Sequence, residues 1–224
     1  MKRGDAVKQR LLKALVLSNI ISVLLYLLGA IYYHDNILWF LNWNLALAWL
    51  PLLFSYLLIR TIKDNRWLST RALAYSLLWI GFLPNSFYIA SDLIHIRLAT
   101  SSSAIFYATV ILSYTINGFI LGFTSLYLIH KQLIKRLNTR TSHIIVTFVL
   151  FISSFAIYLG RYMRWNTWDL VVNPSGLIFD VSDRIINPVY HKQTFLVTIL
   201  LFLLLSGIYM VIWQLIEAIR SSKD

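Results

Sequence analysis

Six long apolar runs constrain this chain more than any other feature of its sequence. Crossing the hydrocarbon core of a bilayer takes about 20 predominantly apolar residues in a helix. The runs cover about 15–33, 38–59, 72–91, 104–129, 144–162 and 195–216. Only 13% of the 224 residues are charged, against about 25% in a soluble domain. The sequence therefore predicts an all-α, polytopic membrane helix bundle with six transmembrane helices, forming a single domain over 1–224.

The basic residues predict the orientation of these helices. Fifteen of the 20 Lys and Arg residues fall in the two tails and in the second-to-third and fourth-to-fifth loops, on one side of the membrane. The other five are Arg97, Arg161, Arg164, Arg184 and Lys192. Because Lys and Arg concentrate on the cytoplasmic side, we expect both termini to be cytoplasmic. The net charge of +11 is spread in short clusters between apolar runs, so we expect no nucleic-acid partner.

One connection is long, at about 163–191 on the external side. It contains the turn residues Asn173-Pro174, Gly176 and Asn187-Pro188, which indicate irregular structure with a short interfacial helix. Its many apolar residues indicate that it packs on the helices. The chain contains no cysteine, which excludes a disulfide, a thiolate nucleophile and a Cys-based metal site.

A first polar patch lies at the outer end of the third span. Pro84 kinks a helix, and beyond it Asn85, Tyr88, Asp92 and His95 recur at helical spacing. An amide, a phenol, a carboxylate and an imidazole are therefore expected along one helical stripe. The alternative is that these groups only join helices, as buried polar groups in bundles do.

A second polar patch follows the fifth span. It contains Arg161, Arg164, Trp165, Asn166, Trp168 and Asp169. If the helix continues outward, both arginines and both tryptophans share one face. Two guanidiniums beside indole rings suit a phosphate or carboxylate. An aromatic belt with snorkelling arginines is the alternative.

A third patch, at Asn44, opens the second span at the same external level. We expect the three patches to converge on one external pocket. In that pocket Asp92, His95 and Asp169 are candidate general acids and bases. The alternative is that Asp92 and Asp169 are ion-pair partners of the two arginines. Asp92, His95 and Asp169 could also hold a metal ion, although zinc sites usually have more than one His or Cys ligand. No catalytic or nucleotide-binding motif indicates a cofactor.

The fourth span contains two glycines four residues apart, Gly118 and Gly122. Small residues at this spacing let the backbones of two membrane helices approach closely. We therefore predict close helix packing here rather than a binding site.

Three ordered motifs resemble those of the bacterial membrane-protein family called domain of unknown function 1361. They are Leu83-Pro84-Asn85 with Asp92-Leu93-Ile94-His95, Gly160-Arg161 with Trp165-Asn166-Thr167-Trp168-Asp169, and Trp43-Asn44 with Trp49-Leu50-Pro51. The resemblance covers most of the chain, although Ser86-Phe87 stand where the family often has Ala-Pro. It implies a bacterial protein of the cytoplasmic membrane. It implies no activity, because none is assigned to the family.

The leading hypothesis for function is an external pocket that binds, or acts on, an anionic lipid or envelope precursor. The predicted ligand-binding residues are Asn44, Asn85, Tyr88, Arg161, Arg164, Trp165, Asn166 and Trp168. A small-solute transporter is one alternative, because Pro51 and Pro84 interrupt helices as in substrate-binding spans. A membrane scaffold or accessory subunit is another. The sequence predicts neither a reaction nor an oligomeric state.

Overall fold

The computed structural model describes residues 3–64, 66–98 and 103–222. Within these ranges most residues are helical, and no strand is present. The helices are α1 (Arg3–Tyr33), α2 (Phe40–Asp64), α3 (Thr70–Tyr88), the 3₁₀ helix Ile89–Leu98, α4 (Ala104–Arg136), α5 (Thr139–Met163), α6 (Asp169–Val172), α7 (Pro174–Ile186) and α8 (Lys192–Ser221).

Six helical stretches are long and apolar enough to cross a membrane. They are Gln9–Tyr33, Phe40–Lys63, Thr70–Arg97, Ala104–Arg136, Thr139–Met163 and Lys192–Ser221. In none of them is more than 44% of the most apolar window buried inside the protein. Large apolar side chains are exposed along these helices, as expected where lipid replaces water. The predicted six-helix membrane bundle is confirmed, whereas the cytoplasmic location of both termini stays a prediction.

The helix α4 lies at the centre of the bundle. It contacts α1, α2, α3, α5 and the 3₁₀ helix, while α2 also pairs with α3 and α5 with α8. The buried apolar side chains form two clusters. One joins α2, α3, α4, α5 and α8 around Phe87 and Leu126, and the other joins α1, α2, α4 and the 3₁₀ helix around Leu41 and Tyr114. The outer half of α3 is therefore held firmly between α2 and α4.

The close packing predicted at Gly118 and Gly122 is present between α4 and α3. A methyl group at Gly118 would overlap the backbone carbonyl oxygen of Ser86. At Gly122 it would lie 2.7 Å from the Phe87 ring and 2.8 Å from the Cβ of Ser86. Both positions are too close for a carbon atom, so glycine allows the two backbones to approach. This contact holds the end of α3 in place, directly before the 3₁₀ helix that carries Asp92.

A polar network that the sequence did not predict joins α1 to α2 and α4. Asn19 donates through Nδ2 to the Oδ1 of Asn117 at 3.0 Å, and Trp49 donates through Nε1 to the Oδ1 of Asn19 at 3.1 Å. Asn117 donates in turn to the Oγ of Ser22 at 2.8 Å. Amide groups inside a membrane span need such partners. The network therefore attaches α1 to the rest of the bundle.

The long connection contains the short helix that the sequence predicted, as α7. Asn173 precedes this helix and its Oδ1 accepts a hydrogen bond from the backbone N–H of Gly176 at 3.2 Å. Pro174 occupies the first turn, where its missing N–H costs nothing. An Asn cap followed by Pro is a recognised start of a helix. A single turn, α6, comes directly before it.

Candidate functional site

A cleft of about 390 Å³ lies between α2, α3, α5 and the segment that follows α5. Its lining is mainly apolar and includes Leu47 of α2, Ile80 of α3, Phe155 of α5 and Leu177 of α7. Among the described residues that line it, none is charged. The volume is within the range of about 300–1,000 Å³ that ligand sites usually have. We refer to this space as the cleft.

Six predicted ligand-binding residues line the cleft. They come from the start of α2, the outer end of α3 and the segment after α5: Asn44, Asn85, Tyr88, Trp165, Asn166 and Trp168. The structure thus brings the three polar patches of the sequence to one place. Trp43 and Thr167 also line the cleft. Both stand in the family motifs, next to predicted ligand-binding residues, but neither was itself predicted to bind a ligand.

Thr167 links the segment after α5 to α3. Asn85 donates through Nδ2 to the Thr167 Oγ1 at 3.0 Å and to the Phe82 carbonyl oxygen at 3.2 Å. The Thr167 hydroxyl donates to the carbonyl oxygen of Gly81 at 3.3 Å. These bonds hold the Trp-rich segment against the side of α3 that faces the cleft.

Asp92 and Arg161 form an ion pair beside the cleft, and neither lines it. The side chain of Asp92 is 1% exposed and that of Arg161 is 16% exposed. Asn44 donates to the second carboxylate oxygen at 2.9 Å, and Arg161 Nε donates to the Ser91 Oγ at 2.9 Å. The two charged groups are therefore engaged by partners inside the protein. They position Asn44, the 3₁₀ helix and the end of α5.

Tyr88 separates this ion pair from the cleft. The guanidinium carbon of Arg161 lies 4.6 Å from the centre of the Tyr88 ring, a cation–π distance. His95 Nε2 lies 4.0 Å from Asp92 Oδ1 and 3.4 Å from Arg161 Nη1. In a 3₁₀ helix every third residue shares a face, which keeps His95 beside Asp92. Because neither residue lines the cleft, their role as acid and base stays a prediction.

The expectation that both arginines and both tryptophans share a helical face is wrong, because α5 ends at Met163. Arg164 has a left-handed backbone with φ 62°, and the N–H of Trp165 donates to the Leu159 carbonyl oxygen at 3.3 Å. This cap turns the chain away from the helix axis. Arg161 stays in the helix and in its ion pair. Arg164 is exposed and forms no ion pair with any side chain in 9–63, 66–97 or 103–222.

Asp169 lies apart from the other two candidate acids and bases. Its Oδ2 accepts a hydrogen bond from the backbone N–H of Asn166 at 2.7 Å, which stabilises the turn before α6. In the described part of the chain, no three His, Asp or Glu side chains lie close enough together to share a metal ion. A metal site made by Asp92, His95 and Asp169 is therefore not formed.

The inner face of α7 completes the wall of the cleft. Leu177 and Val181 line it, and Trp165 Nε1 donates to the carboxylate of Asp180 at 2.7 Å. Arg184 is buried and donates to the carbonyl oxygen of Asp180 at 2.6 Å. None of these four α7 residues was predicted as a site residue. Helical spacing would not have found them, because most apolar residues of α7 lie on its outer face.

The outer face of α7 is apolar and exposed. Ile178, Phe179, Ile185 and Ile186 are between 64% and 73% exposed. The polar side chains of Asp180 and Arg184 lie on the inner face instead. This arrangement is the reverse of a helix that faces water, where apolar residues turn inward.

The fold and the cleft define a multi-pass, α-helical membrane protein with a mainly apolar site at one end of the bundle. A family model described as "Protein of unknown function (DUF1361)" matches residues 43–208, a range that includes every residue lining the cleft. The chain belongs to this family, as its three motifs indicated. No curated protein and no solved structure matches the chain.

Proposed function

We propose that this protein binds an anionic membrane lipid or lipid-linked envelope precursor, with an apolar chain of the lipid in the cleft. The observation that carries the proposal is the placement of α7. Its inner face lines the cleft through Leu177 and Val181, while its outer face is apolar and exposed.

The exposed face of α7 supports a position at the membrane surface. Side chains such as Ile178, Phe179 and Ile186 are stabilised by about 25 cal/mol for each Å² of apolar surface removed from water. An amphipathic helix gains this energy by lying along the interface with its apolar face in the acyl region. A cleft that α7 covers is then next to lipid chains, which are the most abundant apolar ligands available there.

The lining of the cleft supports an amphipathic ligand. Leu47, Ile80 and Phe155 offer apolar contacts to a chain, whereas Asn44 and Asn166 offer polar contacts. An apolar cavity with a few convergent polar groups is the usual form of a small-molecule site.

Arg164 supports an anionic headgroup. It is exposed, and it directly precedes Trp165 and Asn166, which line the cleft. A guanidinium binds phosphate through two parallel hydrogen bonds. Arg161 does not serve this purpose in the proposal, because Asp92 already neutralises it.

The proposal is tested by filling the cleft and measuring retained lipid. The protein and its variants are released from vesicles of phosphatidylglycerol and phosphatidylcholine into mild detergent and analysed by native mass spectrometry. Leu47→Trp should reduce the lipid retained by the wild type, because the indole occupies the cleft. Leu53→Trp is the matched control, since it places the same group on an exposed position of the same helix.

Arg164→Ala should reduce the preference for phosphatidylglycerol and leave phosphatidylcholine retention unchanged. If Leu47→Trp does not fold, Leu177→Trp fills the cleft from α7 instead. Equal lipid retention by the wild type and all folded cleft-filling variants would contradict the proposed function.

A further inference from the structure

We infer that the part of the ligand that enters the polar end of the cleft is an uncharged, hydroxyl-bearing group. It donates hydrogen bonds to the side-chain oxygens of Asn44, Asn85 and Asn166. The inference rests on the proposed function and specifies the chemistry of the headgroup at the same site.

The orientation of the Asn85 amide is determined by its neighbours. An amide NH₂ group only donates and a backbone carbonyl oxygen only accepts. The Asn85 Nδ2 lies 3.2 Å from the Phe82 carbonyl oxygen and 3.0 Å from the Thr167 Oγ1. The Thr167 hydroxyl hydrogen is directed to the Gly81 carbonyl, so its oxygen accepts. Both NH₂ hydrogens of Asn85 are therefore used within the protein.

The same reasoning fixes the other two amides. The Nδ2 of Asn166 donates to the Arg164 carbonyl oxygen at 3.3 Å and to the Asp169 carboxylate at 3.4 Å. The Nδ2 of Asn44 donates to the Asp92 carboxylate at 2.9 Å. In each case the NH₂ group faces an oxygen that accepts, and turning the amide over would place two acceptors together.

Three carbonyl oxygens are thus left for a ligand. No donor within the described ranges of the chain bonds to the Oδ1 of Asn44, Asn85 or Asn166. A polar group enclosed by a ligand without a partner costs free energy. The ligand is therefore selected for its ability to donate.

A hydroxyl group meets this requirement better than a charged group. A phosphate diester oxygen only accepts, so it leaves the three amide oxygens unpaired. An ammonium group donates, but no anionic side chain is among the described residues that line the cleft, and a desolvated charge needs a partner. A hydroxyl donates to an amide oxygen and also accepts from N–H donors. Trp43 and Trp168, which carry such donors, line the same cleft.

The exposed Arg164 gives the phosphate a separate place outside the cleft. The ligand chemistry then combines an apolar chain, a phosphate at the rim and hydroxyl groups inside. A glycerol headgroup and a sugar headgroup share this chemistry. The test includes lipids with each headgroup and so distinguishes glycerol from sugar.

The experiment compares two lipids that differ in headgroup hydroxyls alone. Phosphatidylglycerol and phosphatidylmethanol with the same acyl chains carry the same charge, but only the first has hydroxyl donors. In competition measured by native mass spectrometry, the wild type should prefer phosphatidylglycerol by about 2- to 10-fold, which is the effect of one net hydrogen bond. Asn85→Leu should remove this preference and retain binding of phosphatidylmethanol. If Asn85→Leu does not fold, Asn166→Ala is used instead, because residue 166 is exposed, and it should reduce the same preference.

Two further arms complete the test. A monoglucosyl diacylglycerol that binds better than diacylglycerol would support the inference and identify a sugar as a competent headgroup. Equal binding of phosphatidylglycerol and phosphatidylmethanol, with both lost in Leu47→Trp, would overturn the inference and leave the proposed function intact. Lipid binding that Leu47→Trp does not reduce would overturn the proposed function and the inference with it.

Discussion

Arg161 of α5 forms an ion pair with Asp92 of the 3₁₀ helix, and the same guanidinium lies 4.6 Å from the centre of the Tyr88 ring. Tyr88 lines the cleft on its other side. Asn44, a second lining residue, donates to the same carboxylate. The ion pair thus supports two walls of the cleft from behind. Neither Asp92 nor Arg161 lines the cleft itself.

Asp92→Asn should lower the free energy of unfolding by about 3 kcal/mol, because it leaves the largely buried Arg161 without its counter-ion. The double variant Asp92→Asn, Arg161→Met should recover part of this loss, since no unpaired charge is then buried. Unfolding in mixed micelles measures both. A double variant no more stable than Asp92→Asn would contradict the unpaired Arg161 charge as the cause of the loss.

The outer face of α7 should be accessible to lipid. The chain contains no cysteine, so single nitroxide labels can be attached at Phe179→Cys and at Ser175→Cys. We expect the label at residue 179 to be relaxed more strongly by oxygen, which partitions into lipid, than by a water-soluble nickel complex. The exposed residue 175 in the first turn should show the opposite order. Equal accessibility to both reagents at the two positions would contradict an interfacial α7.

The end of α7 should loosen in acid. Hydrogen bonds from the Asn187 amide and from His191, both at 2.7 Å, lower the pKa of Asp183 below its ordinary value of 3.8. A carboxylate with a lowered pKa stabilises the folded state above its unfolded pKa, and this stability is lost as pH falls through the folded pKa. The backbone N–H of Asn187 donates to the Asp183 carbonyl oxygen. Its protection from hydrogen exchange should therefore fall below about pH 4. In Asp183→Asn this pH dependence should be absent, and its persistence would exclude Asp183 as its source.

Three glycine substitutions should differ in their effects on stability. Gly118→Ala and Gly122→Ala should each lower the free energy of unfolding by about 1–3 kcal/mol, because the added methyl group meets Ser86 and Phe87. Gly207→Ala in α8 is the matched control, since no heavy atom lies within 4 Å of the position of its added carbon. It should be neutral or stabilising. A similar loss in all three would contradict packing against Ser86 and Phe87 as its cause, because alanine favours a helix more than glycine does.

The orientation of the bundle is tested with an impermeant maleimide. Ser175→Cys in α7 should react in intact cells, and Ser222→Cys should react only after the membrane is opened. This result follows from the concentration of basic residues on the cytoplasmic side. The reverse pattern would overturn the predicted topology.

Much of the fold followed from the sequence because it depends on properties that single segments carry. The length of an apolar run decides whether a helix crosses the bilayer, and Gly118 and Gly122 indicate close packing whatever the partner helix is. The three polar patches were found for the same reason. Asn, Asp and Arg are costly inside a membrane unless they have partners or a role.

The details of the site could not be predicted, because they depend on contacts between distant segments. Asp92 and Arg161 are 69 residues apart, and the sequence offered Arg164 as an equal partner. The end of α5 was also hidden, since left-handed caps usually contain Gly or Asn and Arg164 is neither. Asn19 was missed because a single amide in an apolar run carries no spacing, and its partner Asn117 is 98 residues away.

The exposed apolar face of α7 determines which ligand concentration is relevant to the cleft: the concentration in the bilayer or the concentration in water. Under the proposed function, the cleft takes its ligand from the bilayer, which acts as a two-dimensional solvent. Occupancy then follows the mole fraction of the ligand among its neighbours and is independent of how little of it dissolves in water. A modest intrinsic affinity is sufficient for a site of this kind to respond to changes in the composition of the surrounding leaflet.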